Sequence, residues 1–143
     1  MGEKKVSYEN VVFLSRFGQM SSKKKKQILY LSNQEESLSL LQSFHGIAVE
    51  STSSIQALNI QLFSWKRWDL VLIESNIEWT DPKETVALIN EKLQIPVTLI
   101  DRHSNEEESL FRLKAFYEAG LHDCIKAPLC PKELAEVFKT LIR

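Results

Sequence analysis

Several short apolar runs of this chain each close on a polar residue. Ser32-Asn33 follow Ile28–Leu31, Glu74 follows Leu70–Ile73, Asp101 follows Val97–Ile100, and Lys126 follows Cys124-Ile125 and precedes Ala127-Pro128. Two carboxylates and a lysine, if gathered at one end of a sheet, are the raw material for binding a cation or for acid–base work. Were Glu74 and Asp101 to face each other without a metal, the pKa of one of them should rise. Other chemistries are poorly supplied. Cys124 and Cys130 do not have a zinc or C-x-x-C spacing, and as reduced thiols they fit a cytosolic setting. His45, His103 and His122 are scattered, and no Ser-His-Asp or Cys-His pairing is supported. His103, just past Asp101, is either a loop residue in water or a group that responds to pH or metal. The four scattered glycines write neither a dinucleotide fingerprint nor a P-loop.

These residues need elements to position them, and the chain supplies a regular alternation from Gln27 onward. Its 143 residues suit one domain, and 43% apolar with 26% charged residues suits a soluble globular one. The runs Ile28–Leu31, Ile47–Val49, Leu70–Ile73, Pro96–Ile100 and Cys124-Ile125 read as five strands. The Leu38, Leu41, Phe44 spacing predicts a first helix capped by Ser32 or Asn33 and ended by Gly46. A second helix starts at Ser53 or Ser54 and carries Ile55, Leu58, Leu62 and Trp65 inward. Asp81-Pro82 opens a third, with Val86, Ile89 and Leu93 inward. A Ser104–Glu107 capping box opens a fourth, with Leu110, Leu113 and Phe116-Tyr117 inward and Gly120 as its stop. Pro131 opens the last, with Leu134, Val137, Phe138 and Leu141 inward. Five βα units predict a doubly wound, flavodoxin-like parallel sheet of order 2-1-3-4-5 with helices on both faces. Function is then expected at the carboxyl ends of the strands. Residues 1–26 stand apart as a basic extension, with Lys4, Lys5 and Lys23–Lys26 around the apolar tract Val11–Leu14 and Phe17. That tract is expected to be buried by the domain, as an extra strand or short helix, or by a partner.

Lys plus Arg is 18 and Asp plus Glu is 19, a net charge of −1, so charge makes no case for nucleic acid or an acidic membrane. No apolar run approaches the length of a bilayer span, nothing at the start resembles a signal peptide, and a cytoplasmic location is expected.

From about Gln27 to Arg143 the chain resembles the CheY-like receiver domains of response regulators in two-component signalling. The resemblance is carried by Gln27–Asn33, Trp68–Glu74, Ile95–Asp101, Glu118–Leu129 and Pro131–Leu134. Such domains hold Mg²⁺ with an acidic pair after strand 1 and phosphorylate an aspartate after strand 3. They clamp the phosphoryl group with a Thr or Ser after strand 4 and a Lys after strand 5. Position by position, this sequence departs from the pattern. The acidic pair falls on Ser32 and Asn33, poor Mg²⁺ ligands. The phosphoacceptor falls on Glu74, whose carboxylate sits about 1.5 Å further out, where about 1 Å can already cost ~10²-fold. The Thr/Ser position falls on Asp101, which would repel a phosphoryl group, and the Lys position on Ala127. Lys126 is one residue early and should point to the opposite face. The switch aromatic falls on Cys124.

The resemblance therefore implies a pseudo-receiver with no metal or other cofactor and no enzymatic activity, acting in signalling through protein contact. The alternative is a functioning phosphorelay receiver using Glu74 or Asp101. Glu74 either imitates the charge of a phosphoaspartate or simply closes its strand. The Ala127-Pro128 peptide matches a family bond that is usually cis and is expected to be cis here. Expected partners are a kinase, an adaptor or an output protein, or a second copy through the helix 4–strand 5–helix 5 face. That face offers Phe111, Lys114, Tyr117, His122, Lys126, Lys132, Glu136 and Lys139. Trp79, beside the crevice, either anchors a partner or lids the crevice.

Overall fold

The structure is a computed structural model that describes residues 25–64, 66–103 and 106–141, with side chains in the last stretch from Leu110 onward. Expectations for residues 1–24, for Trp65 and for the Ser104–Glu107 capping box fall outside the described residues. Five strands and five helices alternate. They are β1 (Lys26–Leu31), α1 (Leu38–Gln42), β2 (Ile47–Thr52), α2 (Ile55–Leu62), β3 (Leu70–Glu74), α3 (Pro82–Leu93), β4 (Val97–Asp101), α4 (Glu106–Glu118), β5 (Asp123–Lys126) and α5 (Pro131–Leu141). All strand pairs are parallel and the order is β2-β1-β3-β4-β5, the expected doubly wound arrangement. β1 starts at Lys26, one residue inside the segment expected to be an extension.

Strand alternation divides the core in two. Leu29, Leu31, Val71, Ile73, Val97 and Leu99 face Leu58 of α2, Val86 and Ile89 of α3 and Phe116 of α4. Ile28, Tyr30, Leu70, Leu72, Ile100 and Ile125 face Leu41 of α1 and Leu134, Val137 and Phe138 of α5. β3 and β4 are buried along their whole length, as their unbroken apolar runs require.

Local signals explain most helix ends. The Ser54 hydroxyl accepts the Ala57 amide at the start of α2. Asp81 accepts the amides of Lys83 and Glu84, with Pro82 in the first turn of α3. Gln94, at φ 55°, ends α3. Gly120 has φ +112° and follows α4, and a Cβ there would lie 2.6 Å from the Asn90 side chain. Some expectations fail. Ser37, whose side chain makes no cap bond, stands at the N-cap position of α1, and Ser32 and Asn33 are used in the loop before it. Leu110 does not face inward. It is 71% exposed beside Phe111, and Tyr117 is exposed as well, so the apolar stripe of α4 reduces to Leu113 and Phe116; on α2, Ile55 likewise lies at the surface rather than inward.

Candidate functional site

The strand ends split by face. Glu74 pairs in register with Ile100, so it lies on the α1/α5 side, while Asp101 is one residue further and belongs to the α3/α4 side with Leu99. Glu74 and Asp101 therefore do not face each other. The condition for a coupled pair of carboxylates at this end of the sheet is therefore not met, and each carboxylate is served by its own partners.

Glu74 is fully buried, with both oxygens engaged. Its Oε1 receives Arg102 Nε, and its Oε2 accepts Arg102 Nη2 at 2.9 Å and the Tyr30 hydroxyl at 2.5 Å. The two-pronged guanidinium contact is the strong, planar geometry that arginine offers carboxylates. Arg102 Nη2 also donates to Ser37 Oγ at 2.8 Å, and the Tyr30 oxygen accepts the Ser37 amide at 2.9 Å. One buried network thus ties β1, β3, the end of β4 and the start of α1 together. Burial, reinforced by the Glu74 carboxylate, holds the Tyr30 phenol well above its ordinary pKa, so it stays a donor. The hydrogen bond to Glu74 holds Arg102 above its usual value as well.

Asp101 is nearly buried and sits in a second, looser group. Its Oδ1 accepts the His103 amide at 3.1 Å and lies 3.2 Å from His103 Nδ1, and Lys126 Nζ is 3.6 Å from its Oδ2. Ser75 Oγ lies 3.2 Å from the same His103 nitrogen. Both contacts meet one nitrogen, so this is not the two-nitrogen relay of a hydrolase triad. Lys126 does turn to the face opposite Ala127, which packs among the α1/α5 residues, and that turn brings it to Asp101. Cys124, on the same face as Lys126, is half-buried, and burial, with Asp101 and Asp123 adding to it, pushes its thiol up to about 11.

The loops after β1 and β3 are stitched to each other. Asn33 Nδ2 donates to the Asn76 carbonyl at 2.7 Å, and Asn33 Oδ1 accepts the Glu78 amide at 3.0 Å. Trp79 Nε1 donates to the Ser32 carbonyl at 2.9 Å, and the half-buried indole packs on the α3/α4-side core. Ser32 is buried, and its Oγ accepts the Glu35 amide. An open cleft of about 580 Å³ remains outside, lined by Asn33, Gln34, Glu36, Asn76, Glu78 and Trp79. Burial pushes the Glu36 carboxyl up, but hydrogen bonds from its own backbone, Asn76 and Gln34 outweigh that and hold it low.

The residues here do not fit the Mg²⁺ that the fold family implies. That ion asks for free oxygen ligands, chiefly carboxylates. Ser32 and Asn33 are neutral and spent on backbone amides and carbonyls, and Glu74 already carries a guanidinium and a phenol. Among the described residues no three His, Cys, Asp or Glu side chains are grouped to hold a metal ion. The Ala127-Pro128 peptide is cis, as expected. On the opposite flank Phe111 is 85% exposed, Tyr117 is half-exposed, and Lys126 is exposed with its ammonium turned to the His103 carbonyl. His122 is exposed too, but its Nδ1 accepts the Val97 amide.

Sequence reasoning missed Arg102, Tyr30 and Ser37. Two of them carried a signal. Tyr30 puts a hydroxyl into an otherwise apolar strand, where a buried phenol needs a partner. Arg102 directly follows a strand end, where the chain is free to turn its side chain across the sheet edge.

The structure resembles solved receiver domains. It matches a CheY-like response regulator receiver domain protein from Methanospirillum hungatei with a TM-score of 0.65 at 19% identity, over 81% of this chain and 92% of that one. It matches a two-component response regulator from Clostridium difficile with a TM-score of 0.68 at 18% identity, over 80% and 94%. The chemotaxis response regulator CheY4 of Vibrio cholerae matches with a TM-score of 0.67 at 13% identity, over 83% and 100%. At these identities the likeness establishes the CheY-like fold. No family model and no curated protein matches the chain.

Proposed function

We propose that this chain is a pseudo-receiver: a response-regulator receiver fold that works in signal transduction by binding another protein, without aspartyl phosphorylation and without catalysis. One observation carries this. The side chain at the phosphoacceptor position, Glu74, is buried with both oxygens occupied by Arg102 and Tyr30. In-line attack needs an accessible oxygen at near-attack distance, and a positioned metal and cations to absorb charge. Glu74 offers no free oxygen, the acidic pair is replaced by Ser32 and Asn33, and the lysine position holds Ala127. Arg102 supplies the opposite charge from inside. Glu74 is thus neutralised as part of the core and does not display a phosphoaspartate-like charge.

Contact is proposed through the α4–β5–α5 face, where Phe111 and Tyr117 supply aromatic surface and Lys126 charge. The partner is a kinase, an adaptor, an output protein or a second copy, and a cytoplasmic setting is proposed with it. No helix among the described residues is long and apolar enough to cross a membrane. The test is incubation with acetyl phosphate and Mg²⁺ followed by intact mass measurement. We expect an unchanged mass. A stoichiometric gain of one phosphoryl group, mapped to Glu74 or Asp101, would establish the phosphorelay alternative instead.

A further inference from the structure

We propose that the pocket between the start of α3 and α4 binds a small organic anion, a carboxylate or phosphate ester on a short apolar body. The pocket measures about 280 Å³, at the small end of ligand sites. Ser75, directly after β3, and His103, two residues after β4, line it. It therefore opens at the carboxyl end of the strands, where doubly wound sheets bind ligands. Pro82, Ala115 and Phe116 form an apolar wall. The polar lining is mostly of one kind. Lys83, Arg112, His103 and Ser75 all bring hydrogen-bond donors, and the first two carry fixed positive charge.

The charge around the pocket points the same way. Among the described residues that line it, Asp81 is the only carboxylate, and its Oδ1 already accepts the Lys83 and Glu84 amides. Asp101, which touches His103, is nearly buried and also meets Lys126. Lys83 stands in the first turn of α3, where the helix dipole favours acidic residues over a cation. An exposed lysine there, with a second cation contributed by α4, is a local conflict that a bound anion resolves. Arg112 need not be unpaired for this, because a guanidinium has five donors in a fork and can serve two partners. His103 meets Asp101 and Ser75 through Nδ1 alone, which leaves Nε2 without a partner among the described residues. The cleft beside Trp79 has the opposite character, with Glu36 and Glu78 in its lining. An anion is directed to the α3–α4 pocket and away from that cleft. The site is independent of how Glu74 is read.

The test is an amide NMR titration of the full chain with benzoate, phenyl phosphate and neutral benzamide at constant ionic strength. We expect at least one of the two anions to shift the amides of Ser75, Lys83, His103 and Ala115 to saturation, with a Kd near ~1 mM. Benzamide should leave them in place. Lys83→Gln should weaken binding roughly tenfold. The Lys83 side chain is exposed and makes no bond among the described residues, so this variant keeps the fold. Ala115→Leu should fill the pocket and abolish saturation, and should it fail to fold, Lys83→Gln decides alone. The absence of a saturable shift with either anion would overturn the proposal. So would an equal response to benzamide, or binding unchanged in Lys83→Gln. Shifts confined to the surface lysines Lys114 and Lys132 would mean general salt binding and overturn it as well.

Discussion

Glu74 holds the most consequential charge in the molecule, and its energetics depend on one neighbour. A buried carboxylate stripped of its counter-ion costs about 3–5 kcal/mol, whereas replacing both partners with apolar side chains is often neutral. Arg102 keeps a quarter of its side chain in solvent, so the lower end applies. We expect Arg102→Met to lose about 3 kcal/mol in urea unfolding. Glu74→Leu combined with Arg102→Met should recover much of it, and an additive double mutant would show that the pair is not coupled. The two thiols give a second prediction. Cys130 is exposed, whereas the Cys124 thiol titrates near 11. A raised pKa keeps the thiol protonated and unreactive at pH 8, and thiolate forms only as pH climbs toward 11. A disulfide reagent at pH 8 should therefore modify Cys130 first, with Cys124 gaining rate as pH rises. Equal rates at pH 8 would contradict the burial of Cys124.

Elements stand or fall here by their ends. Asp81-Pro82 and Ser54 were readable because a capping side chain beside a proline or an apolar period is a local signal. Ser37 was not, because its hydroxyl serves Arg102 from 65 residues away and makes no cap bond. Leu110 was misplaced for a related reason. A helical period says which residues share a face, but not how much of the helix meets the sheet. Gly120 combines a positive φ with a wall, since Asn90 of α3 fills the space a Cβ would need. Gly120→Ala should therefore cost roughly 1–3 kcal/mol from backbone strain and clash. Thermal or urea melting checks this, and a neutral result would mean that Asn90 and the turn yield freely.

Across the whole molecule, the apolar residues left outside the core mark where contact is to be sought. Phe111, at 85% exposure, contributes little to the fold. Phe111→Glu should shift folding stability by no more than about 0.5 kcal/mol. It should weaken capture of the partner or self-association, read by pull-down and sedimentation. Unchanged association would move the interface elsewhere. Five βα units, the order of the sheet and the neutral residues at the acidic-pair positions were all legible in the amino-acid sequence, because period, caps and residue type are local properties. Which carboxylate meets which cation was not. Glu74 and Asp101 lie at neighbouring strand ends, yet one residue of register puts them on opposite faces of the sheet. Arg102, from beyond β4, crosses to Glu74, while Lys126 turns to Asp101. Such pairings depend on strand register and side-chain direction, and only the tertiary structure brings them together.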